Sequence, residues 1–257
     1  MDEGVASVRL ADPRHRNALS KQLSDDLAAA VDEALARGAR AIVLTAAPPV
    51  FCAGGSLEGL LDRRTPLSEM YAGMMRLADA PVPTIAAVGG PAIGAGVNLP
   101  LACDIVIAST SALFDPRFLD VGIHPGGGHL WRLRERVGAQ GAAAMVLCGE
   151  TLTGAQAADR GLAWYCVEDA DLEPTARRMA RRAADRSAPL VRRTKESLRR
   201  SGALSDPAQA HELELRAQQW SVKQPEFTAT VQRIQHEVAQ RAAARRESST
   251  DLPKTDS

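Results

Sequence analysis

The chain is poor in several residue types, and each shortage removes a class of function. Aromatic residues make up 4% of its 257 positions, too few for the stacking platforms that single-stranded nucleic-acid binders use. Lysine is scarce, and 31 basic residues are balanced by 31 acidic ones, so the formal net charge is +0. No global field then favours nucleic acid or an anionic membrane surface. The four cysteines (Cys52, Cys103, Cys148, Cys166) lie far apart with no CxxC pairing. They read as reduced, small core residues of a cytoplasmic protein. No zinc site is expected either, because His124 and His129 stand five apart without a cysteine partner. No run approaches the ~18–20 apolar residues of a membrane span. The opening "MDEGVASVRL" carries acids where a secretory leader carries bases.

What is present is a regular alternation of elements. "VASVRLAD" (Val5–Asp12) alternates as a strand. A helix follows, with Ser20 as N-cap, Leu23, Leu27, Val31 and Leu35 as its apolar stripe, and Gly38 at its C-terminus. "ARAIVLTA" and "PTIAAVGG" are continuous apolar strands of the kind buried on both faces. Between them lies a helix over Leu67–Ala78, and a strand over Asp104–Ala108 comes next. From Ala139 onward the chain reads as mostly helical. The arginines Arg177, Arg178, Arg181, Arg182 and Arg186 read as a solvated helix face. Parallel strands with helical crossovers are expected, with ligands gathering where strand C-termini meet helix N-termini.

Two glycine loops occupy such places: Cys52–Gly55 and Gly89–Gly96. "GAGVNL" lacks the third glycine of a dinucleotide fingerprint. "GGSLEG" is one residue off the GxSxG serine elbow. If the loops face each other, each can offer a backbone N–H outside any ladder, and two converging N–H groups make an oxyanion hole.

At this point the chain resembles a known family, the enoyl-CoA hydratase/isomerase (crotonase) superfamily. The resemblance rests on five ordered blocks: "DPRHRNALS", "IVLTAAPPVFCAGGSLEGL", "PTIAAVGGPAIGAGVNLPLACDIVIAS", "FDPRFLDVGIHPGGGHLWRL" and "GETLTGAQAADRGLAWYCV". It implies an α/β fold, a spiral of ββα units with a C-terminal α-helical trimerisation region. Residues 1–190 would form the acyl-CoA-binding core and 191–243 the oligomerisation region, with 244–257 as a disordered tail. The implied assembly is a homotrimer or a dimer of trimers. The implied ligand is an acyl-CoA thioester, with no separate cofactor, since coenzyme A is part of the substrate. By position, the N–H groups of Ala53 and Ala95 would hold the thioester oxygen. His15, Arg16, Ala18, Gly55, Ser56 and Leu57 would cradle CoA, and Val121 and Gly126 are assigned to substrate binding.

The chain departs from the family where chemistry is done. The two carboxylates that hydratases use fall at Asn98 and at Phe118, or at Arg117 if the turn is slid by one. A further position that carries aspartate in some relatives is Gly126. An amide cannot take a proton at neutral pH. Substitute bases are few: Asp120, then His124 and His129 beside the glycine turn, while Asp115 reads as a helix cap and Asp104 as structural. Three functions remain open: an acyl-CoA enzyme working through an oxyanion hole without either carboxylate, a non-catalytic acyl-CoA-binding protein on the same fold, and a thioester hydrolase using Cys52 or Ser56.

Overall fold

The computed structural model describes residues 1–62 and 65–250. The elements run β1 (Val5–Leu10), α1 (Lys21–Ala36), β2 (Ala41–Ala46), α2 (Leu57–Asp62), α3 (Leu67–Met70), α4 (Ala72–Ala78), β3 (Thr84–Val88), β4 (Pro91–Ile93), α5 (Asn98–Ala102), β5 (Ile105–Ser109) and β6 (Leu113–Asp115). Then come α6 (His129–Cys148), β7 (Leu152–Thr153), α7 (Gly154–Asp159), β8 (Tyr165–Val167), α8 (Leu172–Ala184), α9 (Ala188–Ser201), α10 (Pro207–Ser221) and α11 (Pro225–Thr250).

Five strands form a parallel sheet in the order β1-β2-β3-β5-β8, and three short ones form a second sheet, β4-β6-β7. From β3 the chain adds β4 to the small sheet and returns through α5 to β5; from β5 it adds β6, crosses through α6, adds β7 and returns through α7 to β8. This is the expected α/β spiral of ββα units. The short strands carry two or three residues, too few for a sequence period to reveal them.

The continuous apolar strands are explained by two cores. Ile42, Leu44, Ala86, Val88, Val106 and Ala108 point into the larger one, shared with α1 and α4. Their neighbours Ala41, Val43, Ile85, Ala87 and Ile107 point to the other side, against Leu172, Ala176 and Ala180 of α8. Successive side chains of a strand alternate faces, so a strand covered on both sides must be apolar throughout. Ser20 caps α1 as expected, its Oγ accepting from the Leu23 N–H at 3.1 Å. The basic face of α8 is partly spent on the chain's own first residues, with Arg181 2.7 Å from Asp2 and 2.9 Å from Glu3.

The chain divides into two compact units, Met1–Val191 and the segment from Arg192 onward. Within the second, Arg193 stacks 4.4 Å over the Trp220 ring. Asp206 caps α10 with Pro207 as its first residue. The helical region read from Ala139 onward is present, and the sequence reading missed the segment of α6 that precedes it from His129; the two meet at Gly138, whose φ of +73° is not helical. Helix α11 runs on to Thr250, so the first residues of the segment from 244, expected as a disordered tail, are helical, in keeping with Ala, Arg and Glu residues uninterrupted by Gly or Pro. The rest of that segment, 251–257, lies outside the described residues.

Candidate active site

The two glycine loops do face each other. The Cys52 N–H donates to the Pro91 oxygen at 3.2 Å, and the Ile93 N–H donates to the Cys52 oxygen at 2.9 Å. This close approach requires Gly96, where a Cβ would lie 2.4 Å from the Cys52 oxygen. It also requires Gly54, whose φ is +93° and whose Cβ would meet the Ile93 oxygen at 2.7 Å.

A third segment closes the site. The Leu19 N–H donates to the Gly54 oxygen at 2.7 Å and the Ser56 N–H to the Leu19 oxygen at 2.9 Å. Asn17 holds that segment in place. It is fully buried, its Nδ2 donates to the oxygens of Ala47 (2.9 Å) and Val50 (2.8 Å), and its Oδ1 accepts from the Asp12 N–H at 2.9 Å. Three buried bonds secure a left-handed turn at Arg16 and Asn17, with φ of +54° and +52°.

This arrangement corrects one assignment. The Ala53 N–H donates to the Arg16 oxygen at 3.0 Å, so it is not available to a ligand. The bridge opposite Leu19 uses the Gly54 oxygen and the Ser56 N–H, which turns the Gly55 N–H the other way. Among the described residues it has no acceptor. Ala95 is the second residue of a 3₁₀ turn over Gly94–Val97, and the first N–H groups of such a turn have no acceptor within it. Both Gly55 and Ala95 line a cavity of about 980 Å³.

Of the residues singled out from the sequence, the cavity wall includes His15, Arg16, Ala18, Ala53, Gly55, Ser56, Leu57, Ala95, Phe118, Val121 and Gly126. Arg117 and His124 also line it, while Cys52, Asn98, Asp104, Asp115, Asp120 and His129 are absent from it. Asn98 is fully buried behind the wall: its Nδ2 donates to the Gly126 oxygen at 3.0 Å, and its Oδ1 accepts from His129 Nδ1 at 2.6 Å. Asn98 is thus a brace between the glycine turn and His129. Asp120 sits exposed on a short turn over Leu119–Val121 and does not border the cavity. Asp115 is no helix cap. It ends β6 and binds the Arg117 guanidinium, with Arg117 Nε donating at 2.8 Å. Asp104 is structural, its Oδ2 accepting from the Thr84 N–H at 2.8 Å.

His129 is 1% exposed and its ring packs edge-on against Phe118, with centroids 4.9 Å apart. Because Asn98 presents its oxygen, Nδ1 carries the proton and Nε2 the lone pair. That Nε2 has no partner among the described residues. Burial pushes the imidazole down to about 4, so it is neutral at physiological pH. Cys52 is fully buried and burial pushes its thiol up to about 12, which removes it as a nucleophile. Ser56 Oγ accepts from the Gly59 N–H at 3.3 Å, and no base adjoins it among the hydrogen-bonded groups described.

Sequence reasoning missed the roof of the cavity. Leu60, Leu67, Met70, Tyr71 and Met75 come from α2, α3, α4 and the Tyr71 junction, where the single helix expected over Leu67–Ala78 breaks. Burial pushes the Tyr71 phenol up, so it stays an O–H donor. The unbranched side chains of Met70 and Met75 make this wall adaptable.

The architecture, the paired glycine loops and the apolar cavity define a class of protein that comparisons confirm. The family model for enoyl-CoA hydratase/isomerase matches residues 1–237, and the chain belongs to that family. It is 38% identical over 249 residues to the probable enoyl-CoA hydratase EchA14 of Mycobacterium tuberculosis, covering 92% of this chain and 96% of that one. A solved enoyl-CoA hydratase from Polaromonas sp. JS666 superposes with a TM-score of 0.85 at 26% identity, over 92% of this chain and 95% of that one. An enoyl-CoA hydratase candidate from Thermobifida fusca, solved in complex with CoA, has a TM-score of 0.77 at 30% identity, over 86% and 91% of the two chains. Among the described residues no helix is long and apolar enough to cross a membrane, and no group of residues is arranged to hold a metal ion.

Proposed function

We propose that this chain is an acyl-CoA thioester enzyme that polarises its substrate toward the enolate without a carboxylate in the cavity wall. In this reading the thioester oxygen lies between the N–H groups of Gly55 and Ala95. CoA runs along His15, Arg16, Ala18, Ser56 and Leu57, and the acyl chain enters the apolar wall of Leu60, Met70 and Phe118. The observation that carries it is the pair of cavity-lining amides with no acceptor of their own among the described residues. Each donor of this kind is typically worth roughly 100–1000-fold in rate. The CoA bound to the Thermobifida relative supports the ligand class.

Isotope-edited infrared spectroscopy tests the reading directly. A ¹³C-labelled thioester carbonyl bound to the protein is expected to shift to lower frequency than in water, as two donors draw charge onto its oxygen. A bound thioester whose carbonyl does not shift refutes it.

A second reading, binding without turnover, is favoured by the absence of any Asp or Glu from the described cavity wall. It is separated from the first by chemistry on the bound ligand. Assembly as a homotrimer or a dimer of trimers through the C-terminal helices accompanies either reading. It is supported by the half-exposed Phe227, Ile234 and Val238, which fall on one face of α11.

A further inference from the structure

An enolate-forming site needs an acceptor for the α-proton, and the cavity wall narrows the choice. Its described titratable side chains are His15, Arg16, Tyr71, Arg117 and His124. Arginine has no lone pair to offer at neutral pH. Tyr71, held protonated by burial, can donate a hydrogen bond but not take a proton. His15 has its Nδ1 on the Asp12 carboxylate at 2.8 Å, and its side chain is 76% exposed. It stands beside Arg16, at the end of the cavity assigned to CoA.

His124 is also exposed, but it sits on the part of the wall formed with Phe118, Ile123 and Gly126 rather than beside Arg16. Its Nδ1 lies 2.8 Å from the Pro125 oxygen. A carbonyl only accepts, so Nδ1 carries the proton and the lone pair is on Nε2. The histidine rides on a turn fixed at both ends. The Ile123 N–H donates to the Phe118 oxygen at 3.1 Å, and the Gly126 oxygen accepts from Asn98 Nδ2 at 3.0 Å. Asn98 lies three residues after Ala95, on the same continuous turn and helix. The turn bearing His124 is thus bonded to the segment that presents the Ala95 N–H, while Phe118 closes the position of the second lost acid.

We propose that His124 is the proton acceptor of this site, acting on acyl-CoA thioesters that bear an α-hydrogen. This rests on the thioester reading above. In the step, the Cα–H bond breaks and its proton passes to Nε2. The electron pair becomes the new C=C bond, and the carbonyl π pair moves to the thioester oxygen, held by Gly55 and Ala95. The imidazolium exchanges its Nε2 proton for a deuteron of the solvent and delivers that deuteron to the same carbon, so the net change in D₂O is exchange of hydrogen for deuterium, with the protium released to the solvent.

The test incubates the full chain with a saturated acyl-CoA in D₂O, following α-deuterium by mass spectrometry and binding by calorimetry. The wild type is expected to exchange. His124→Ala is expected to lose about 100-fold or more of that rate while its binding constant changes less than about threefold. Free imidazole is expected to restore part of the rate to His124→Ala, and His124→Gln, which keeps the polar contact to Pro125, is expected to be as slow. Exchange undiminished in both variants overturns the proposal, as does a wild type that binds the thioester but exchanges nothing. A wild type that binds no thioester overturns the ligand reading itself, and this inference with it.

Discussion

Lowering the pH is expected to destabilise this protein through one residue, His129. Folded, its imidazole is neutral: Nδ1 donates to Asn98, Nε2 has no described partner, and Phe118 covers the ring. Protonation would place an unpaired charge in a dry site. Unfolded, the same group titrates near its ordinary value. Between 6.5 and about 4, therefore, the unfolded chain holds a proton that the folded chain does not. Stability rises with pH wherever the unfolded state binds more protons. The contribution is fully present above pH 6.5, declines as pH falls, and is lost by about pH 4. At about 1.4 kcal/mol per unit the difference amounts to roughly 3 kcal/mol. Asp12 and Asp169 do not confuse the window. Hydrogen bonds, from His15 and from Ser109 and Ser111 respectively, hold their carboxyls below 3.8. The assay is urea unfolding at pH 7.5 and 4.5, at one protein concentration, for the wild type and His129→Gln. The wild type should lose roughly 2–3 kcal/mol more than the variant between the two pH values. Parallel losses would refute the reasoning and place the acid sensitivity elsewhere.

Two other substitutions probe the loop junction. In Gly96→Ala the new methyl meets the Cys52 backbone oxygen at 2.4 Å, which cannot step aside without parting the loops. A loss of about 2 kcal/mol or more in thermal or urea unfolding is expected, together with weakened thioester binding. Cys52, buried and with its thiol pushed up to about 12, should resist alkylation while the exposed Cys148 reacts. Cys52→Ala should leave thioester chemistry intact, and loss of that chemistry would revive the hydrolase reading.

The sequence disclosed the framework because the framework is periodic. The α1 stripe, the Ser20 cap and the doubly covered strands each follow from spacing alone. The meeting of the two glycine loops is only a supposition from the sequence, since glycines after buried strands also serve tight packing; the Cys52–Pro91 and Ile93–Cys52 hydrogen bonds decide it. What stayed hidden depends on direction. Whether the Ala53 or the Gly55 N–H faces the cavity is decided by which partner the Leu19 bridge takes, and spacing does not encode that. Tyr71 and the methionines of the roof lie in short, broken helices without a clean stripe. Asn17 looks like an ordinary turn residue until its two long-range hydrogen bonds, to Ala47 and Val50, are seen. His124 and His129 were both visible beside the glycine turn, but only the fold separates them, one on the cavity wall and one behind it.

That separation bears on what Asn98 does in this chain. Asn98 is not a carboxylate merely neutralised in place. Its amide supplies a donor to the Gly126 oxygen and an acceptor to His129 Nδ1, and a carboxylate has no donor to give. Asp at position 98 would set two oxygens against each other and leave a buried carbonyl unpaired, at a cost of about 1–3 kcal/mol before any charge is counted. Phe118 and His129 complete the same arrangement, one ring against the other. The three residues form a packed unit that fixes the glycine turn, and the turn in turn carries His124. An acid introduced at position 98 would damage that unit, and under the proposal above it would also unseat the turn that carries the proton acceptor.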